Sequence, residues 1–195
     1  MERENQRIVI TKRMLKESIL KLLKEKELDT INVTELCREA GVNRATFYRH
    51  YEIPRDVLVE IQQDIYRELR QNISLPRTLA EIRPVVEQLC IYMDDHQELL
   101  RILVQNNSDT DFASFINDVY LELAKDYSHM AALKRLSQED IQFMTLYSAG
   151  GSYFVLRSWI MGSFKKSPQE MADYVYSLIA KTDQLIRTLS EQKKK

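Results

Sequence analysis

Between Ala40 and Tyr51 the chain carries Arg44, Arg49 and His50 and not one Asp or Glu. Ala45, Thr46 and Tyr48 are interleaved with these basic groups. Such a set has the chemistry of a nucleic-acid reader. A guanidinium at Arg44 offers a two-pronged fork to guanine O6 and N7, and Ala45 is small enough to let backbone approach and touch a thymine methyl. Thr46, Tyr48 and His50 carry donors of the kind that hold phosphate oxygens and set register. The formal net charge of −1 does not oppose this, because placement matters more than total. Residues 1–51 hold eleven Lys/Arg against eight Asp/Glu, whereas the rest of the chain holds seventeen against twenty-one.

These groups act together only if one element presents them on one side. At about 100° per residue, Phe47 and Tyr51 fall close together on a helix starting at Arg44. Ala45, Thr46, Tyr48 and Arg49 then lie opposite that aromatic pair, with Arg44 and His50 on the flanks. Asn43 is suited to cap this helix. Before it, a short helix from about Thr34 to Ala40 places Leu36 and Ala40 on one face and turns Thr34 and Arg38 away. Gly41 stops it, since glycine accepts the left-handed conformation just past a helix end. Two short helices joined by a glycine turn form a helix-turn-helix, whose second helix enters the major groove. Residue types alone equally suit the solvated face of a packed helical hairpin.

The elements around this motif read as helices throughout. Only four glycines and four prolines punctuate 195 residues, and no segment alternates apolar and polar residues as a half-buried strand would. The expected fold is all-α, with about nine helices. The first runs from about Thr11 to Glu27 with Leu15, Ile19, Leu22 and Leu23 on one stripe. A fourth, over 54–73, carries Val57, Leu58, Ile61, Ile65 and Leu69. It is opened by Pro54 and fades at Ser74-Leu75-Pro76. Next, Pro84 opens a helix through Met93, and a shorter one carries Leu99, Leu100 and Leu103. Asp109 follows as a possible cap for a helix holding Phe112, Phe115, Ile116, Val119 and Leu123. Ser137 to Asp140 and Ser167 to Glu170 resemble capping boxes that launch two long final helices. The domain reading is a helix-turn-helix domain over 1–52, helix 54–73 as connector, and a helical effector-binding and dimerisation domain over 74–195.

From Thr34 to Tyr51 the sequence TELCREAGVNRATFYRHY resembles the DNA-binding signature of the TetR family of bacterial transcriptional regulators. The signature has a Gly-Val turn and a recognition helix ending Thr-hydrophobic-Tyr-x-His-aromatic, here Thr46, Phe47, Tyr48, His50 and Tyr51. The strong part of the likeness covers about residues 10–70. It implies a homodimeric regulator that binds double-stranded DNA, most commonly a ligand-responsive repressor on a palindromic operator. By resemblance, Thr34, Arg44 and Ala45 sit where family members read bases. Thr46, Tyr48 and His50 sit where they grip phosphates, with Asn43 and Arg49 beside them. One position departs from the family pattern. Where many members carry a phosphate-binding lysine early in helix four, this chain has Pro54 followed by Arg55. Arg55 is the candidate to take over that phosphate contact, although a one-residue shift turns a side chain by about 100° on a helix.

A single reading helix touches few bases, so such proteins commonly dimerise. The last two helices are the expected contact, with Gly150, Gly151, Tyr153, Val175, Ile179 and Ile186 as candidate interface residues. Mid-helix glycines normally cost about 1 kcal/mol each, which close helix crossing would offset. A kink or a close contact inside one subunit is the alternative. Met93, Phe112, Phe115, Tyr120, Phe143, Tyr147 and Trp159 could line an effector cavity, although such stripes are more often plain core.

No catalytic or metal-binding arrangement is visible. Asp94, Asp95 and His96 diverge around a helix, His129 is isolated, and neither HExxH, GxSxG nor a phosphate-binding glycine loop occurs. The expectation is therefore a protein that is not an enzyme and has no cofactor. Cys37 and Cys90 are the only cysteines, and the apolar stretches are too short for a signal peptide or a membrane span. Together these point to a reducing, cytoplasmic setting without a membrane partner. A TetR-like interaction module acting through a protein partner is the alternative function.

Overall fold

The computed structural model describes residues 2–73, 79–106, 117, 121, 137–162 and 165–192. Among the described residues there are eight α-helices and no strand: α1 (Glu2–Leu22), α2 (Val33–Ala40), α3 (Arg44–Tyr48), α4 (Pro54–Asn72), α5 (Leu79–Asp95), α6 (Gln97–Asn106), α7 (Gln138–Ile160) and α8 (Pro168–Gln192). Of the expected helix over Phe112 to Leu123 the structure describes Asn117 and Leu121, both helical; its other residues, and His129, lie outside the described residues. The chain divides into two compact units, Met1–Arg67 with Glu98–Ser108, and Glu68–Gln97 with Asp109–Lys195.

The first unit is organised around apolar stripes from α1, α2, α4 and α6. Leu15, Ile19, Leu22 and Leu23 are all buried, as the spacing of the first helix demands. That helix begins nine residues earlier than the sequence suggests and ends five residues sooner. The polar run Lys24-Glu25-Lys26-Glu27 offers no apolar side chain to continue the stripe. Backbone bonds there shorten to i→i−3 (Lys24 N to Lys21 O, 3.2 Å), and a 3-10 turn over Leu28–Thr30 then buries Leu28 and Ile31 instead. Val57, Leu58, Ile61 and Ile65 of α4 are buried, as are Leu100, Ile102, Leu103 and Val104 of α6. Each such side chain contributes on the order of 1.5–3 kcal/mol. At the start of α4, Asp56 accepts from the backbone N–H groups of Glu52 (2.8 Å) and Ile53 (2.9 Å), satisfying donors left over at the helix end.

The second unit packs α5 and α7 against α8. Ile82, Val86, Leu89, Cys90 and Met93 form the buried stripe of α5, matched by Met171, Ala172, Val175 and Ile179 on α8. Arg83 joins the two helices through Asp173 (2.9 Å from Nε, 2.8 Å from Nη2). Both capping boxes form. Asp140 N–H donates to Ser137 Oγ (3.1 Å) while Ser137 N–H donates to the Asp140 carboxylate (2.9 Å). Glu170 and Ser167 repeat the pattern at 3.2 and 2.8 Å. Pro84 does not open α5 but sits inside it. A proline there removes one i→i−4 bond, and the helix persists because its buried stripe runs from Ile82 to Met93 across the proline. Burial also pushes the Cys90 thiol up to about 12, so it is not a thiolate at neutral pH. Among the described residues no helix is long and apolar enough to cross a membrane.

Candidate nucleic-acid interface

Asparagine caps start both α2 and α3, and a glycine makes the turn between them. Asn32 Oδ1 accepts from Glu35 N–H (3.0 Å), and Asn43 Oδ1 accepts from Thr46 N–H (2.7 Å). Gly41, with φ of 64°, ends α2 in the left-handed region, where a side chain would be strained. The α3 helix has five residues, too few to persist alone. It is held by Phe47, which is fully buried, and by Tyr51, whose ring lies 5.7 Å from that of Phe47. That aromatic pair is the inward face expected from the helical spacing.

The outward face is the one the sequence indicated. Thr34, Asn43, Arg44, Ala45, Tyr48 and Arg49 are exposed, and Thr46 and His50 are half-buried. The Arg44 guanidinium lies beside Tyr48, with Nη2 3.4 Å from the phenol oxygen, and this contact raises its pKa further above its ordinary value. Arg49 Nη2 donates to Thr46 Oγ1 (3.3 Å). The cations of α3 are thus arranged against hydroxyl groups of their own helix, which leaves their positive charge available to an outside anion.

Arg55 is placed differently. Its Nη2 meets Asp29 (2.7 Å) and its Nη1 donates to the Asn106 carbonyl (3.2 Å) at the end of α6. It borders a polar cleft of about 500 Å³ that also includes Lys24, Lys26 and Gln105. Within the first unit this guanidinium is engaged by protein groups before any phosphate approaches.

Sequence reasoning missed Asn32 and the hub around Glu60. The first was legible, because Asn32-Val-Thr-Glu35 has the spacing of a capping box. The second was not. Glu60 accepts from Lys12 (2.9 Å), Lys16 (2.8 Å) and the Tyr51 hydroxyl (2.9 Å), and the two lysines lie more than forty residues away in sequence. Partial burial alone would raise its pKa, but the bonds from Lys16, Lys12 and Tyr51 outweigh that and hold the carboxyl down at about 2.

The candidate effector and dimer residues scatter. Met93 and Trp159 are buried, and the indole N–H is satisfied by the Lys166 carbonyl (3.0 Å). Phe143 and Tyr147 are 65% and 76% exposed, so the structure does not gather these four around one cavity. Phe112, Phe115 and Tyr120 lie outside the described residues. Tyr153, Val175 and Ile179 are buried within their own chain, while nothing is described of the Ile186 side chain. Among the described residues, a Cβ built on Gly150 or Gly151 meets no atom within 4 Å. No close contact inside the subunit, among the described residues, therefore explains them. The exposed large apolar groups described on α7 are Phe143, Leu146, Tyr147 and Phe154, and on α8 Tyr174 and Leu178.

Comparison with known proteins converges on one family. A TetR family model described as "Transcriptional regulator C-terminal region" matches residues 80–181. The HTH-type transcriptional regulator YxbF of Bacillus subtilis (strain 168) is 23% identical over 177 residues, covering 85% of this chain and 44% of the relative. The chain thus spans less than half the length of that relative. A TetR transcriptional regulator from Streptococcus agalactiae 2603V shares the fold, with a TM-score of 0.61 at 18% identity over 90% of this chain and 97% of the other. The dihydroxyacetone kinase operon activator DhaS does so with a TM-score of 0.59, at the same identity and coverages. With more than half of its residues inside the matched family region, and the helix-turn-helix geometry in place before it, the chain belongs to the TetR family of transcriptional regulators.

Proposed function

We propose that this regulator binds a palindromic operator as a homodimer, with α3 of each copy in the major groove. The observation that carries this reading is the exposed, acid-free outer surface of α3. In this reading Thr34, Arg44 and Ala45 meet base edges, while Thr46, Tyr48 and His50 hold phosphates. Asn43 caps the reading helix, and Arg49 adds charge beside it. Residues 1–52 form the reading domain, α4 connects it onward, and 74–195 serve dimerisation and effector response, with 98–106 of α6 lending core to the reading domain.

The dimer contact is assigned to the exposed apolar face of α7, helped by Tyr174 and Leu178 of α8. Phe143, Leu146, Tyr147, Gly150 and Phe154 follow the i, i+3, i+4, i+7, i+11 spacing of a single helix face. An exposed apolar stripe of that size is characteristic of an interface. The two glycines would let the partner backbone approach.

Repression relieved by a small-molecule effector is the mode that the family resemblance supports. An effector would act by binding the released conformation more tightly than the DNA-bound one. Tilting α4 would then move two reading helices off major grooves spaced about 34 Å apart. The test is selection of duplexes from a random pool by the full-length protein, followed by anisotropy titrations of the selected sequence and of Arg44→Ala. Sequence-preferring binding that Arg44→Ala abolishes sustains the proposal. Regulation that survives Arg44→Ala and Tyr48→Ala would instead identify an interaction module working through a protein partner.

A further inference from the structure

Three side chains from two elements converge on Glu60 of α4, beside the residue that anchors the reading helix. Lys12 and Lys16 reach it from α1, and Tyr51 reaches it from the turn after α3. Lys16 also bonds Asp64 (2.5 Å), one turn further along α4. The Lys12 ammonium stands 5.4 Å over the Tyr51 ring. From Tyr51 the contacts continue outward: its ring packs on Phe47, and the Phe47 ring meets Tyr48 edge-on at 5.5 Å. Tyr48 belongs to the exposed reading face.

We propose that Glu60 is a positioning residue for DNA recognition, fixing the roll of α3 through its bond from the Tyr51 hydroxyl. The proposal rests on the DNA-reading role assigned above to α3. A five-residue helix anchored by one fully buried side chain is held by apolar packing, which has no directional preference. The Tyr51 hydroxyl supplies direction, because a hydrogen bond weakens steeply when its angle is lost. A lone carboxylate acceptor could swing on its own side chain. Glu60 cannot, because two ammonium groups from α1 clamp the same carboxylate. The angle at which Arg44 and Tyr48 meet a duplex is therefore set by α1 and α4 jointly.

The sign of the effect separates positioning from simple electrostatics. Removing an acid from a DNA-binding unit lessens repulsion of phosphate and should strengthen binding, whereas loss of positioning should weaken specific binding. The experiment measures anisotropy of Glu60→Gln and Tyr51→Phe on a duplex selected by the wild-type protein and on a scrambled duplex of equal length. Circular dichroism melts run in parallel. Glu60→Gln is expected to lose about tenfold or more on the selected duplex, the scale of one charge-assisted hydrogen bond. On the scrambled duplex it should bind equally well or more tightly. Tyr51→Phe changes no charge and should lower specific binding in the same direction while keeping the ring packing, which decides the matter should Glu60→Gln fail to fold. Unchanged or tighter binding of the selected duplex by both variants, alongside a loss in Arg44→Ala, overturns the positioning role alone. Full binding by Arg44→Ala overturns the DNA-reading role and the positioning role with it.

Discussion

The outer faces of α3 and α7 are both exposed, yet they are built in opposite ways. On α3 the exposed groups are cations and hydroxyls set by a cap and a glycine turn, and a buried aromatic pair holds the helix. On α7 the exposed groups are large and apolar, interrupted by two glycines that meet no neighbour among the described residues. A polar reading surface depends on the identity and angle of a few groups, because hydrogen bonds fail when geometry shifts. An apolar surface depends on area and shape, and tolerates exchange of one large side chain for another. The contrast predicts different responses to mutation.

The largest effect should come from removing the support of α3 rather than its surface. Phe47→Ala deletes a fully buried ring, at a cost of about 3–5 kcal/mol, and chemical denaturation should show that loss together with loss of DNA binding. On α7, Phe154→Asp puts a charge into the apolar face. If the proposed dimer forms through this face, sedimentation should find it dissociated in this variant, a loss of about 2 kcal/mol or more of association, without loss of helix content. Phe154→Leu should remain dimeric.

Arg44→Ala should cost about 1–3 kcal/mol on the preferred duplex with little change in thermal stability. Arg44→Lys should recover little of it, since an ammonium has no planar fork. Asn43→Ala removes the cap of α3 and should cost about 1 kcal/mol of stability, read from the denaturation midpoint.

The smallest effect is in pH dependence. The Glu60 carboxyl is held at about 2 in the folded state, below the usual carboxylate range. The unfolded chain therefore binds a proton more readily as pH falls. The stabilisation is full above the ordinary carboxylate range and drains away as pH drops toward 2. Glu60→Gln should flatten that part of the acid denaturation curve.

The α3 region was legible because its determinants are local. Asn43, Gly41 and the Phe47–Tyr51 spacing act within a few residues, and the structure places each as the spacing requires. The glycine-free helices of the core were legible by their stripes for the same reason. What the chain does between distant segments was not. Nothing around Arg55 announces that Asp29 and the Asn106 carbonyl take its guanidinium, and nothing around Glu60 announces Lys12 and Lys16. On the last two helices an apolar stripe identifies a buried face without saying what buries it. Tyr153, Val175 and Ile179 go to the core of their own chain, leaving Phe154 and Leu178 outside. Pro84 misled because proline is commonest in a first helical turn, and here the buried stripe from Ile82 to Met93 carries the helix through it.

The most direct measurement is the affinity of the full-length protein for its selected duplex and for a scrambled one, followed as salt is raised. A surface of α3 that lies in the major groove predicts tight, salt-weakened binding to the selected duplex and a marked preference over the scrambled one, a preference that Arg44→Ala erases. Equal affinity for both duplexes, or a preference that Arg44→Ala leaves intact, would contradict it.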